Sequence, residues 1–448
     1  MGSGLSLGLV VLTFCTLLPA QSQSSTGFGP DRTHEGQSRA QEVREGRGPQ
    51  LSDALPAKPS IPPAFTIPAE PLGFSAPGAY YLGQRIALAS LDFVDEGHLL
   101  FTFRVPGLMH REAGEQSEER QIRAVVLSLP AGTVEAEALW PVHDYSRYLW
   151  MLHDGHFLLR DRDGLQLGDA ALEFKPFLHF PGPVIWMELD PQQQYLVTDS
   201  REPVSAEPKA GDVAGPASAA ASVVTDGQVT GGKNDMVLRI LRRDSGAVML
   251  VSRVSAAVHL PLNSKGYLES LRGNGARWML NLNFFSGGSK LLGHVDSTCA
   301  PVYDFVSERE VLVTACEASG GHRLVAMDTE GRHLWDVLAP GTAIWPLVLR
   351  SPDGLRLARE TLAVTHPVNA LSPLDAEDIK GQLVRVFDAA TGKISLEAPA
   401  VPALDAGGNV AISPSGRRVA VLNGGSIQVF ELPPPAPLPD AADKQTGH

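Results

Sequence analysis

Cysteine is nearly absent from this chain: three in 448 residues, with no Cys-x-x-Cys pair. That excludes a cysteine-ligated zinc module and a thioredoxin-like redox centre. Aromatic residues make up only 6%, so any core must pack mainly on Val, Leu, Ile and Ala. Basic residues are outnumbered, 37 Lys and Arg against 50 Asp and Glu, for a net charge of −13. This argues against nucleic acid or an anionic membrane as the main partner. No long segment repeats apolar residues at helical spacing, which argues against a helical solenoid. Beyond residue 18 no stretch is apolar for the ~20 residues that a membrane span needs. From there on the sequence also has no Gly-x-Ser-x-Gly elbow, no dinucleotide fingerprint and no Gly-Lys-Ser/Thr phosphate loop.

What is present begins with residues 5–18, an apolar run of signal-peptide length followed by the small-x-small site Ala20-Gln21-Ser22. Residues 1–22 are read as a cleaved secretory signal, although no Lys or Arg precedes the run. Phe14 stands where lipid attachment at Cys15 wants a small residue, so a lipoprotein is the minor reading. The mature chain is therefore expected in the periplasm or outside the cell. Residues 23–77 are polar and then proline-crowded, and are read as a disordered leader. Residues 203–235, rich in Ala, Gly, Ser and Val, are read as a disordered loop insertion, and 433–448 as a flexible tail.

Between these lies a repeated unit: an apolar run, a turn of the Pro-Asp-Gly kind, and a second apolar run. Turns at residues 95, 145, 191, 308, 353 and 415 mark it clearly, and Arg272-Gly273-Asn274-Gly275 marks it weakly. A second turn type follows most of them, as at Arg162-Asp163-Gly164 and Thr391-Gly392. Allowing for the insertions, the spacing is the ~40–50 residues of a four-stranded propeller blade. The 34-residue step from 274 to 308 is out of line, so the fourth blade either lacks a strand or its marker is misplaced. The fold class is thus all-β: a β-propeller of about seven four-stranded antiparallel blades over residues 78–432. Its last unit offers three strands, and residues 80–88 are expected to add the fourth and lock the ring.

The units with Ser-Pro-Asp-Gly turns resemble the degenerate WD-repeat and related propeller repeats of secreted bacterial proteins. Phe387-Asp388-Ala389-Ala390-Thr391-Gly392-Lys393 also resembles the Asp-x-x-Thr-Gly-Lys turn of quinoprotein-type propellers. Leu396 stands where that family has Trp, and Trp335 follows a turn without the Thr. The resemblance implies the fold; it selects no activity, because propellers host many.

Candidate sites are few. Cys299 and Cys316 remain after signal removal, in a compartment that permits a disulfide. A two-residue turn at Ser307-Glu308 sets them directly opposite one another at a closely spaced strand position. His143, His153 and His156 cluster in sequence, but a six-residue strand sends His143 to the opposite propeller face. They read as solvated turn residues. Asp95, Glu96, Asp144 and Asp190 sit at repeated turn positions, which turn chemistry explains. No catalytic, cofactor-binding or metal-binding residue is assigned, and no cofactor is expected.

Three functions remain. The leading one is a monomeric, non-enzymatic scaffold whose propeller face holds a protein or peptide. The alternative is an enzyme with a metal or quinone in the central channel, lactonase- or dehydrogenase-like; three or more Asp, Glu, Asn or His side chains converging on a channel mouth would favour it. The third is an envelope assembly or tethering component with the leader as spacer.

Overall fold

The Ser-Pro-Asp-Gly turns organise the blades because the first side chain caps the return strand. In the computed structural model, Ser351 Oγ accepts the amide of Arg356 at 2.9 Å, and Gly354 N–H closes the turn on Ser351 O at 2.9 Å. Gly354 adopts φ +71, which only a residue without a Cβ takes at little strain. Ser413 does the same for Arg418, and Asp190 for Tyr195. The structure describes residues 49–52, 54–107, 119–203, 223–224, 236–368 and 374–435. The signal run, the first half of the leader and most of the 203–235 insertion lie outside these, as does the end of the tail.

Seven antiparallel sheets follow in chain order, each running from an inner to an outer strand. Blade 1 is Ala89–Phe93, His98–Arg104, Arg120–Ser128 and Thr133–Val142. Blade 2 is Leu149–Met151, Phe157–Asp161, Gly164–Gly168 and Phe174–His179. Blade 3 is Val184–Leu189, Tyr195–Arg201, Met236–Arg242 and Val248–Val254, with Val223–Val224 added in parallel at its outer edge. Blade 4 has only Gly266–Arg272, Arg277–Phe284 and Ser289–Asp296. Blade 5 is Val302–Phe305, Glu310–Cys316, His322–Asp328 and His333–Ala339. Blade 6 carries a split inner strand, Ala343–Ile344 and Val348–Arg350, then Arg356–Val364, Ile379–Asp388 and Ile394–Ala400. Blade 7 is Val410–Ile412, Arg418–Asn423 and Ser426–Glu431.

Blade 7 takes its fourth strand from Phe65–Pro68, paired with Ser426–Glu431. The two chain ends thus share a blade, but the closing strand is not residues 80–88: Ala79–Tyr81 is a 3-10 turn and no strand follows before Ala89. The leader reading also changes within the described residues. Leu51 N–H donates to Leu338 O at 2.6 Å on blade 5, and Ser60 N–H to Glu397 O at 2.8 Å on blade 6. Residues 49–52 and 54–68 therefore run along the outer strands of blades 5, 6 and 7. The prolines there do not mark disorder: a strap along a sheet edge needs only some of its N–H groups.

The 34-residue step has two causes. The marker at 274 lies in the second turn of blade 4, whereas the equivalent turn is Ser264-Lys265. The place of the inner strand is held by residues 258–263, which reach the sheet through one bridge, Leu262 to Tyr267. Pro261 has no N–H to continue the ladder. Likewise the marker at 145 precedes the inner strand of blade 2, whose own turn is His153-Asp154-Gly155-His156.

Among the described residues the core is a ring of seven interblade clusters, each filled from two successive sheets, with a smaller one at blade 6 around Leu362, Val364 and Leu374. The closing one gathers Ile67, Leu99, Phe101, Leu422 and Val429. Burying Ile67 alone contributes about 2 kcal/mol. Between blades 5 and 6, Trp335 stacks on Phe387 at 6.3 Å and donates to Ala389 O at 2.6 Å. Gly392 of the Thr-Gly turn lies against it; a Cβ there would come within 2.5 Å of the indole.

Cys299 and Cys316 form a disulfide with Cα atoms 5.5 Å apart. The hairpin register differs by one from the two-residue turn: Val302 faces Thr314 and Phe305 faces Val311, leaving three residues, 307–309, in the loop. Cys299 precedes the strand, where Thr298 N–H holds Cys316 O at 3.0 Å. The bond thus forms at a strand entrance and not across a ladder pair.

Candidate binding site in the central channel

The inner strands of blades 1, 3 and 5 carry one acid each at the same position. Their last ladder pairs are Phe93 with Leu99, Leu189 with Leu196, and Phe305 with Val311. One residue earlier stand Asp92, Glu188 and Asp304. The equivalent positions in blades 2, 6 and 7 are Trp150, Leu349 and Ala411.

His259, from the irregular inner segment of blade 4, joins two of these acids. Its Nδ1 meets Glu188 Oε1, while Nε2 lies 2.8 Å from Tyr303 O and 3.3 Å from Asp304 Oδ1. Burial pushes the imidazole pKa down, but the Glu188 and Asp304 carboxylates outweigh it and hold the pKa well above 6.5. His259 is an imidazolium donating from both nitrogens. Burial opposes ionisation of Asp304, and His259, Arg350 and Arg359 overcome it, so its pKa falls below the usual carboxylate range. Trp186 stands edge-on to His259 at 6.5 Å and is 42% exposed.

Arg350 ties three blades together where the inner strands end. From blade 6 its Nη1 donates to Phe305 O of blade 5 at 3.0 Å and its Nη2 to Leu189 O of blade 3 at 2.6 Å. Arg359 stacks over Trp345 at 3.9 Å, buried, with its Nε and Nη1 lacking hydrogen-bond partners. Burial pushes its pKa down to about 9, Asp304 offsetting only part. Glu360, on the neighbouring face, accepts the amides of Gly408 and Asn409. Burial nevertheless raises its pKa to about 8, so at neutral pH it is mostly protonated.

The third acid of the ring is placed differently. Asp92 is buried and accepts from Ser90 Oγ; no ion pair reaches it among the described residues. Burial raises its pKa to about 6, against the attraction of Arg147 and the Ser90 bond. Arg147 donates its Nε to Leu149 O at 2.9 Å and lies over the Trp150 ring at 5.2 Å, its side chain exposed. Asp92 and Arg147 line a cavity of about 40 Å³ with Ser90, Leu347, Leu349 and Gly407.

Among the described residues no group of three or more His, Cys, Asp or Glu is placed to hold a metal ion. Glu188, His259 and Asp304 do converge, but the imidazole offers no free lone pair. His143 pairs with Asp161 at 3.1 Å and His156 with Asp154 at 3.2 Å, at opposite ends of the blade 2 strands. The histidine cluster read in sequence is therefore not brought together. Reasoning from turns missed the channel residues. A signal existed: Leu91-Asp92-Phe93, Met187-Glu188-Leu189 and Tyr303-Asp304-Phe305 each set one acid between apolar neighbours just before a blade turn. No described helix is long and apolar enough to cross a membrane.

No protein-family model and no curated protein matches the chain. Solved structures similar to it include a chain of the mitotic checkpoint complex, 11% identical over 83% of this chain and 95% of that one, TM-score 0.42. The N-terminal domain of Nup159 is 12% identical over 86% and 98%, TM-score 0.39. Pyrococcus horikoshii acylaminoacyl peptidase is 10% identical over 77% of this chain and 53% of its own length, TM-score 0.42. At such identities and scores the assignment of a seven-bladed propeller rests on this chain's own strand pairing.

Proposed function

We propose that this chain is an exported, non-enzymatic binding scaffold whose propeller face holds a protein or peptide. The observation that carries the reading is that, on the side of blades 3 to 5, the channel's charged groups are engaged by the chain itself. Glu188 and Asp304 share the one His259 imidazole, and Arg350 is committed to two carbonyl oxygens. Exposed apolar side chains remain on inner strands, Trp186 at 42% and Val302 at 48%, and aromatic anchors of this kind carry binding energy. Export is supported by the Cys299–Cys316 disulfide, which persists in oxidising compartments. The tethering reading is weakened by the leader, since residues 49–52 and 54–68 lie along three blades instead of forming a spacer.

The three equivalent acids give the enzyme reading its one point of support. Two measurements separate the readings. Immobilised chain should capture a defined protein from an envelope or culture extract, and Trp186→Ala together with Val302→Asp should abolish that capture. Elemental analysis should find no stoichiometric metal. Capture unaffected by either substitution, or one metal per chain, contradicts the scaffold reading.

A further inference from the structure

Asp92 and Arg147 pose a question that the rest of the channel does not. They carry opposite charges, feel each other electrostatically and line the same cavity, yet no ion pair joins them among the described residues. Elsewhere in the channel opposite charges close to contact, as at His259. Arg147 is also oriented: its Nε is fixed on Leu149 O and its guanidinium lies over Trp150. That leaves the two Nη groups as a planar fork, the geometry that matches a carboxylate with two parallel bonds. Asp92 is held in place by Ser90 Oγ and presents an acceptor to the same space. The remaining walls, Leu347 and Leu349 among them, are apolar.

We infer that this cavity receives a carboxylate whose adjacent carbon bears an N–H donor, the grouping shared by a free α-amino acid and the last residue of a peptide. The carboxylate lies on the Arg147 fork and the N–H points to Asp92. An unclosed pair of this kind is complementary to a small dipolar group, whereas a contact ion pair would fill its own site. The cavity of about 40 Å³ exceeds the roughly 10–15 Å³ that one water needs, so it has room for a small polar group. The inference rests on the reading that the propeller face holds a peptide, whose C-terminus would enter here.

Calorimetric titration of the full chain with tri-alanine, tri-alanine amide and free alanine tests it. Tri-alanine should bind, and its amide roughly 10-fold or more weakly, the loss expected for a charge-assisted pair. Arg147→Gln should remove the preference for the free carboxylate while its unfolding midpoint stays at the wild-type value. Arg147→Lys, which keeps the charge without the fork, should recover only part of it. Binding of alanine but not tri-alanine would support the site with a free amino acid as ligand, and would count against the peptide-holding face. If neither probe binds, if the amide binds equally, or if Arg147→Gln binds as wild type, the inference is overturned. The scaffold reading would then stand or fall on its own capture experiment.

Discussion

On the side of blades 3 to 5, two carboxylates of the channel ring share one imidazolium, and Arg350 is spent on backbone carbonyls. On the side of blades 1 and 2, the third carboxylate and the Arg147 guanidinium line one cavity, with no ion pair between them among the described residues. The positions of the three acids are equivalent; what differs is the neighbour. Blade 4 lacks a regular inner strand, and that irregular segment is what carries His259 into the channel. Blade 2 keeps its inner strand and contributes Arg147 only from the turn before it. A local break in the repeat thus seals one side, and an intact repeat leaves the other open.

Both sides exist only while the ring is closed, so the largest effect is expected at the closing strand. Ile67→Asp would bury a carboxylate in the cluster shared by blades 7 and 1. It should destabilise by about 3–5 kcal/mol, seen in urea unfolding as a much lower midpoint and reduced cooperativity. A wild-type midpoint would mean that closure does not hold the channel together.

Next comes the sealed side. His259→Ala leaves two acids facing each other; because Asp304 and His259 are about one-third exposed, the loss should be about 1–2 kcal/mol and not the larger figure for fully buried pairs. Adding Glu188→Gln and Asp304→Asn should restore part of it. The pH dependence follows from the raised folded pKa. The stabilisation by His259 is complete below the unfolded value of about 6.5 and is lost as pH rises through the higher folded value. A wild-type to His259→Ala difference that grows on going alkaline would contradict the pairing.

The open side should show a different window. Asp92 has its pKa raised from 3.8 to about 6, so its ionisation costs stability as pH rises through that range. Asp92→Asn should therefore stabilise above pH 6 by about 1 kcal/mol, less than the shift alone implies because the buried amide must itself be desolvated. No gain should appear below the unfolded pKa. Smallest of all, Arg147→Gln should change stability by no more than about 0.5 kcal/mol. A larger loss would mean that Arg147 props the fold and is not held ready for a ligand.

Most of the fold was legible because turn chemistry repeats. Ser351, Ser413 and Asp190 cap the same position in three blades, and their spacing marks the blade. What was not legible lay where proline has two readings. In residues 49–52 and 54–68 it suggested a disordered leader, yet these are edge strap and closing strand. In blade 4, Pro261 hid an inner segment that pairs through a single bridge. The Cys299–Cys316 partnership emerged from the hairpin even though the loop is one residue longer than the shortest turn. The channel site was the least legible part. Its acids look like isolated charges in short strands until ladder register shows that they are one position repeated around an axis.

The asymmetry of the channel is tested most directly by the protonation of His259. Following its imidazole by NMR through a pH titration of the full chain should find that it gives up its proton well above the ordinary histidine value. In the Glu188→Gln, Asp304→Asn variant it should lose that proton at lower pH. An imidazole that titrates at or below the ordinary value in the wild-type chain would show that the acids of blades 3 and 5 are not paired through it, and the contrast between the two sides would be lost.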